Sequence, residues 1–293
     1  LSRDVTPTWT VLVGYTGTKG SNLDLLSAPD RGPDGSLLIP GVQPFTWESS
    51  TGRSLMNQGN VQLQHRLSHG FGGSASYTFS KSMDDTPSLG GGTIVEQDPR
   101  NTEAEWALSN FDRRQQFSGN LIVELPFGPG RRWLDNKGGL ASVIGGWTAT
   151  LAFTAQSGTP FSARVCGAVT DIAQGTNCSL RANITGAPIA LGDPSITEFF
   201  NSLNAFTRPS FGAYGDSARN IIIGPGGHQL NGTLVRDVRL SGTRVMTLQI
   251  NATNLLNTVQ WQTIDTDINS PTFGHVLTVR PMRAVTMTMR FRF

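Results

Sequence analysis

Charged residues are scarce in this sequence: Asp, Glu, Lys and Arg make up 15% of its 293 residues, against a usual share of about a quarter. This excludes a coiled coil or helical bundle, which would be rich in Ala, Glu, Lys and Leu. Disorder is excluded as well, because disordered chains combine high net charge with few aromatic residues, and this chain has 15 Phe and 6 Trp. The net charge of +2 gives no electrostatic case for a nucleic-acid partner.

Long apolar runs are also missing. No run approaches the roughly 18 residues of a transmembrane helix, which excludes that kind of membrane span. The same test does not exclude a transmembrane β-barrel, because the alternating strands of a barrel average to near-neutral hydropathy.

Reactive and metal-binding residues are few. The four histidines are scattered, and the sequence has no P-loop, nucleophile elbow or dinucleotide-binding motif. We therefore predict no enzyme, no metal site and no cofactor. The two cysteines, Cys166 and Cys178, lie in one irregular stretch. They are either a disulfide formed in an oxidising compartment or two unrelated thiols.

What the sequence does have is strict two-residue alternation, the period of a β-strand. Near the end of the chain, one face carries Val285, Met287, Met289, Phe291 and Phe293, and Thr and Arg residues occupy the other. Similar patterns predict further strands at 8–17, 57–68, 70–81, 113–126, 145–157, 228–240 and 243–256. These eight strands are longer than the usual five or six residues of soluble proteins and suit a tilted crossing of a bilayer.

The connections alternate between short and long. Tight turns are predicted at 68–70 and 241–242, and 128–144 is intermediate. Long connections are predicted at 18–56, 82–112, 158–227 and 257–281. Sorting of loop lengths by end is typical of an outer-membrane barrel with short periplasmic turns and long outer loops. The sequence therefore predicts an all-β fold, an antiparallel up-and-down transmembrane β-barrel.

Several segments resemble one family when taken together and in order. They are LQHRLSHGFGGSASYTFSKSMDD (63–85), QDPRNTEAEWALSNFDRRQQFSGNLIVELP (97–126), GGWTATLAFTAQSGTPF (145–161), NAFTRPSFGAYGDSARN (204–220), GPGGHQLNGTLVRDVRL (224–240), LQINATNLLN (248–257) and the end of the chain. The set resembles the barrel of TonB-dependent receptors of the Oar-like type, which carry a carboxypeptidase-regulatory-like domain.

The resemblance implies a barrel of about 22 strands with an N-terminal plug inside. Residues 1–293 would be its C-terminal portion of about eight strands, without the signal peptide, plug and earlier strands. It further implies a bacterial outer-membrane location, ligand binding at the outer loops and nutrient uptake energised through the TonB complex. Expected partners are outer-membrane lipid, the chain's own plug and earlier strands, the TonB complex and the barrel assembly machinery.

Three sets of residues are candidates for specific roles. By the same likeness, the terminal strand from Val285 to Phe293 resembles the signal that the assembly machinery recognises. Arg66, Arg290 and Arg292 share the polar faces of their strands and would point into the lumen, towards the plug or an anionic substrate. Loop aromatics would either pack the long loops together or contact a ligand; they are Phe45, Trp47, Trp106, Phe199, Phe200, Phe206, Phe211 and Trp261.

Acidic residues cluster after the third strand: Asp84, Asp85, Glu96, Asp98, Glu103, Glu105 and Asp112. They are either Ca²⁺ ligands or, as we expect, a solvated loop balanced by Arg100, Arg113 and Arg114. Two other functions stay open for the whole chain. One is a small eight-stranded outer-membrane protein with an adhesive or structural role, and the other is a secreted β-rich hydrolase.

Overall fold

The computed structural model describes residues 2–87, 94–128, 130–135, 139–167 and 178–293. Its strands are β1 (Ser2–Asp4), β2 (Trp9–Ser27), β3 (Trp47–Ser68), β4 (Phe71–Asp84), β5 (Ala107–Leu108), β6 (Gln115–Glu124), β7 (Trp147–Gln156), β8 (Pro160–Phe161), β9 (Asn183–Ile184), β10 (Phe206–Thr207), β11 (Ile222–Ile223), β12 (Gly227–Ser241), β13 (Arg244–Thr253), β14 (Trp261–Ile264), β15 (Val276–Val279) and β16 (Ala284–Arg292). Helices are short: a 3₁₀ turn at Thr102–Glu105, α1 (Gly139–Ile144) and α2 (Ser202–Ala205). In the described part of the chain, no helix is long and apolar enough to cross a membrane.

One large antiparallel sheet holds all eight predicted strands. Its order is β1-β2-β3-β4-β6-β7-β12-β13-β16, with β5 added to the end of β4. Each long strand pairs with the next long strand along the chain, which is the up-and-down arrangement that the sequence predicts. The sheet is open: within the described ranges, no ladder joins β16 to β1 or β2.

The predicted loop at 18–56 is wrong over much of its length. β2 continues to Ser27 and β3 begins at Trp47, with the two strands paired throughout apart from irregularities near Leu23. This extension is mostly exposed on both faces between residues 17 and 24. Without a buried face it lacks the apolar–polar alternation on which the prediction of strands depends.

The register brings the apolar faces of all the strands onto one side of the sheet. Residues directly opposite in an antiparallel ladder point to the same face. One row runs through Val13, Val61, Tyr77 and Phe117, and another through Val123, Ala149, Leu234, Ile250 and Met287. Many of these side chains are exposed, as expected for a surface that faces lipid.

The opposite face carries hydrogen-bonded polar side chains. Asn120 accepts from the Ser74 hydroxyl at 2.8 Å, and Asn251 accepts from Thr233 at 3.0 Å and from Gln249 at 2.8 Å. Such a face suits the wet or protein-filled interior of a barrel.

The predicted tight turns are present at one end of the sheet. His69 and Gly70 both have positive φ (52° and 80°), as a two-residue type I′ hairpin requires. Gly242, with φ 59°, lies in the turn between β12 and β13.

The buried apolar core lies in the long connections at the other end. Its largest cluster centres on Phe200, Phe206 and Ile222, with Phe273 packed against it. We call the described residues of the segments 85–112, 158–226 and 254–283 the loop layer. Among the described residues, the sheet has no core of this size, because its apolar face is turned outward.

Candidate functional site

Buried ion pairs hold the loop layer together. Arg219 donates to the carboxylate of Asp84, the last residue of β4, and its Nε donates to the Glu105 carbonyl at 3.0 Å. All three residues are buried. Because an unpaired charge in such surroundings is costly, Arg219 fixes its own segment of the loop layer against both the rim of the sheet and the 3₁₀ turn.

A second buried pair joins the same connections. Arg181 Nη1 lies 2.6 Å from Glu105 Oε1. Gln97 completes the network: its backbone N–H donates to Glu105 at 3.1 Å, its side-chain oxygen accepts from the Arg181 N–H at 2.9 Å, and its amide donates to the Gly215 carbonyl at 2.8 Å. The network therefore links segments that lie far apart in sequence.

The acidic cluster is therefore not the solvated loop that we expected. Five of its seven members are buried: Asp84, Asp85, Glu96, Glu105 and Asp112. The expected Arg100 and Arg114 pair with Asp98 (3.3 Å) and Asp112 (3.7 Å). The other basic partners of the cluster are Arg53, Arg181 and Arg219. Across the described ranges, no three His, Cys, Asp or Glu side chains gather as metal ligands.

Burial alters the acid–base properties of two residues in this layer. Burial raises the pKa of Glu96, and the nearby Ser27 hydroxyl offsets only part of that effect. Desolvation, followed by repulsion from Arg181, lowers the pKa of Arg164 to about 10, so Arg164 remains a cation at neutral pH.

Beside the ion-pair network lies a polar cavity of about 390 Å³. Its walls include Asp98, Glu105, Arg181, Tyr214 and Asp216. The charged side chains and the Tyr214 phenol are groups that can form charge-assisted and ordinary hydrogen bonds with a polar ligand. Sequence reasoning found the acids but missed Arg181, Tyr214 and Arg219, since no pattern pairs residues so distant along the chain.

Five of the eight loop aromatics contact other side chains, and a ligand contact for the other three stays a prediction. Phe199, Phe200, Phe206 and Trp261 pack within the loop layer; the rings of Phe200 and Phe206 meet edge to face at 5.8 Å, as do those of Phe199 and Trp261. The ring of Trp106 lies under the Arg53 guanidinium at 5.8 Å. The exposed members are Phe45, Trp47 and Phe211.

The remaining candidates are placed as follows. Cys166 and Cys178 form a disulfide. On β16, Arg290 and Arg292 pair with Thr247 and Val245 on the polar face; Arg66 occupies that face of β3, near the other edge of the sheet. None of the three arginines forms an ion pair with a described residue.

The terminal strand β16 is an edge strand. Val285, Met287, Met289 and Phe291 pair in register with the apolar face of β13 and are exposed, and Phe293 is almost fully so. Their recognition by the assembly machinery stays a prediction.

Comparison with known families agrees with this architecture. A family model described as outer membrane beta barrel domain matches residues 1–286. The chain belongs to this family. It is an antiparallel up-and-down β-barrel chain of the bacterial outer membrane, and its apolar face is the lipid-facing one. By the usual arrangement of such barrels, the short-turn end is periplasmic and the loop layer is extracellular.

Among solved structures, the chain is similar to the outer membrane transporter YddB from Escherichia coli, with a TM-score of 0.49 and 10% sequence identity. The match covers 99% of this chain and 30% of that one, so this chain spans about a third of the transporter's length. A comparison with curated proteins gave no match.

Proposed function

We propose that this chain forms the C-terminal part of the barrel of a TonB-dependent receptor, of the Oar-like type with a carboxypeptidase-regulatory-like domain. Such a receptor binds a scarce nutrient at its outer loops and imports it with energy delivered by the TonB complex. The observation that carries the proposal is the open sheet of eight long strands with one continuous apolar face.

An open sheet is energetically unfavourable in a membrane. The unpaired N–H and C=O groups of its edges cannot be satisfied by lipid, so membrane barrels close. Earlier strands that pair with β1 and β2 on one side and with β16 on the other would remove both edges. This supports a barrel larger than eight strands over the alternative of a small eight-stranded protein with an adhesive or structural role.

The loop layer supports ligand binding over a purely structural role. Buried ion pairs at Asp84, Glu105, Arg181 and Arg219 fix a polar cavity on the extracellular side. Rigid charged walls lower the ordering cost of binding a polar ligand. The proposed role is binding and transport without covalent chemistry, and the chain is not proposed to be an enzyme.

The polar face suits a barrel that is filled by a plug. Arg66, Arg290 and Arg292 project from the short-turn end of this face without an acidic partner among the described residues. We propose that acidic side chains of the plug pair with them.

A transport assay tests the function. The complete coding region would be expressed in the outer membrane of two Escherichia coli strains that differ only in TonB. Both strains would be given labelled maltooligosaccharides, oligopeptides and ferric chelates. We expect at least one compound to bind to both strains but to accumulate only where TonB is present.

Two results would contradict the proposal. Equal accumulation of the bound compound in both strains would indicate a passive pore. Absence of a TonB-contacting segment in the complete protein, together with no TonB-dependent accumulation, would favour the adhesive or structural role.

A further inference from the structure

The connection between β6 and β7, residues 125–146, is unusual at the periplasmic end, where the neighbouring connections are tight turns. Its described residues, which we call the unit, contact one another: the rings of Phe127 and Trp133 are tilted by 37°, with their centroids 5.4 Å apart. Gly128 packs against Gly145, where a Cβ on Gly128 would lie only 2.8 Å from the Gly145 Cα. The start and the end of the connection are therefore in contact.

This unit lies on the lipid side of the barrel wall. Trp147 and Arg236 are opposite each other in the β7–β12 ladder, on the same face as Ala149 and Leu234. The carbonyl of Val143, in α1, accepts from Trp147 Nε1 at 3.2 Å and from Arg236 Nη1 at 2.6 Å. Since both donors project from the apolar face, the end of α1 is anchored outside the barrel, at the level of the inner leaflet.

The unit exposes apolar side chains that continue the lipid-facing surface. Val143 is 67% exposed, Ile144 37% and Trp133 50%. Trp is favoured at membrane interfaces because its ring is apolar and its N–H is polar. Exposed apolar groups next to a lipid-facing band are stabilised by contact with acyl chains.

The charges beside this surface favour an anion. The Arg132 guanidinium lies over the Trp133 ring, 5.7 Å from its centroid, and forms no ion pair with a described residue. The nearby acids are already engaged: Glu124 pairs with Arg131 at 2.8 Å, and Asp135 accepts from the Gly130 N–H at 2.5 Å.

We propose that the described residues Arg132, Trp133, Val143 and Ile144 of this connection form a binding site for an anionic phospholipid of the inner leaflet. Arg132 contacts the headgroup phosphate, and the acyl chains lie against Trp133, Val143 and Ile144. The site depends on the membrane location of the barrel and is independent of the proposed uptake function.

Native mass spectrometry of the complete protein in detergent tests the headgroup preference. Phosphatidylglycerol and phosphatidylcholine with identical chains serve as probes, and Arg132→Gln is compared with Arg208→Gln, an exposed arginine of the loop layer. We expect Arg132→Gln to lower phosphatidylglycerol occupancy about fivefold, the effect of one cation near anionic lipid, and Arg208→Gln to leave it unchanged. Equal retention of the two lipids, an unaffected Arg132→Gln variant or displacement by excess glycerol phosphate would overturn the proposal.

Fluorescence quenching in liposomes with brominated acyl chains tests the position of the site. Trp133→Phe should reduce the quenchable fraction of the emission, because it removes an indole at the bilayer boundary. Trp261→Phe, in the loop layer, should not. If Trp133→Phe leaves the quenchable fraction unchanged, the unit lies outside the bilayer and the proposed site is wrong.

Discussion

Arg219 links the loop layer to the rim of the sheet. It is buried, and it pairs with Asp84 and reaches the Glu105 carbonyl. Arg219→Met would leave the Asp84 carboxylate buried without a counter-charge, which costs about 3–5 kcal/mol in comparable pairs. We expect the loop layer to become sensitive to proteolysis at a temperature where the wild-type protein resists, while the membrane-embedded strands stay intact.

The control for this variant is Arg208→Met, which makes the same change at an exposed residue without an ion pair to a described residue. Equal protease resistance of Arg219→Met and wild type would show that the pair contributes nothing to the order of the layer.

We expect Glu96 to make the stability of the loop layer depend on pH. Its pKa is raised by burial, so between the ordinary carboxyl pKa and the raised value the folded chain holds a proton that the unfolded chain has lost. Stability therefore falls as pH rises through that window. Glu96→Gln removes the dependence, and its gain in the unfolding temperature of the loop layer should be larger at pH 8 than at pH 5. The exposed Glu48→Gln should show no such difference; an equal gain at both pH values for Glu96→Gln would contradict the assignment.

Individual strands show what the sequence can and cannot predict. The membrane-spanning parts of β7 and β16 can be predicted from the sequence because lipid on one face and a polar lumen on the other impose a period of two. The outer halves of β2 and β3 cannot be predicted in this way because water on both faces imposes no such period. The ion pairs of the loop layer cannot be predicted for another reason. Arg219 and Asp84 are 135 residues apart, and the sequence around either residue does not indicate the other.

The pairing of β4 with β6 depends on a missing side chain. Gly73 lies opposite Leu121, and a Cβ there would overlap the carbonyl oxygen of Asn120. Because that oxygen belongs to the backbone, it cannot move without disturbing the ladder. Gly73→Ala should therefore lower the fraction of protein that migrates as a compact barrel in an unheated detergent gel.

Gly59→Ala is the matched control for that prediction. Gly59 lies on the same apolar face of the neighbouring strand β3, and its Cβ would have no atom within 4 Å. If the two variants assemble equally well, the close approach at Gly73 does not limit strand pairing.

At the scale of the whole molecule, the membrane determines where apolar residues are exposed and where they are buried. Lipid contacts take the place of a protein core for the sheet, so the apolar residues of the strands need no protein partner. The largest cluster of buried apolar residues in the described part of the chain lies where the chain leaves the bilayer. The arrangement leaves the edges at β1–β2 and β16 as the unsatisfied part of the structure.

The open edges lead to a prediction for residues 1–293 expressed alone and refolded in detergent. Unpaired strand edges recruit other strands, so the chain should show strand-rich circular dichroism but associate more as its concentration rises. The complete protein should stay monomeric under the same conditions, because its earlier strands would cover both edges. Sedimentation velocity over a range of concentrations distinguishes the two. A monomeric chain that also resists detergent denaturation until heated would mean that eight strands close by themselves, and the small-barrel alternative would then replace the receptor.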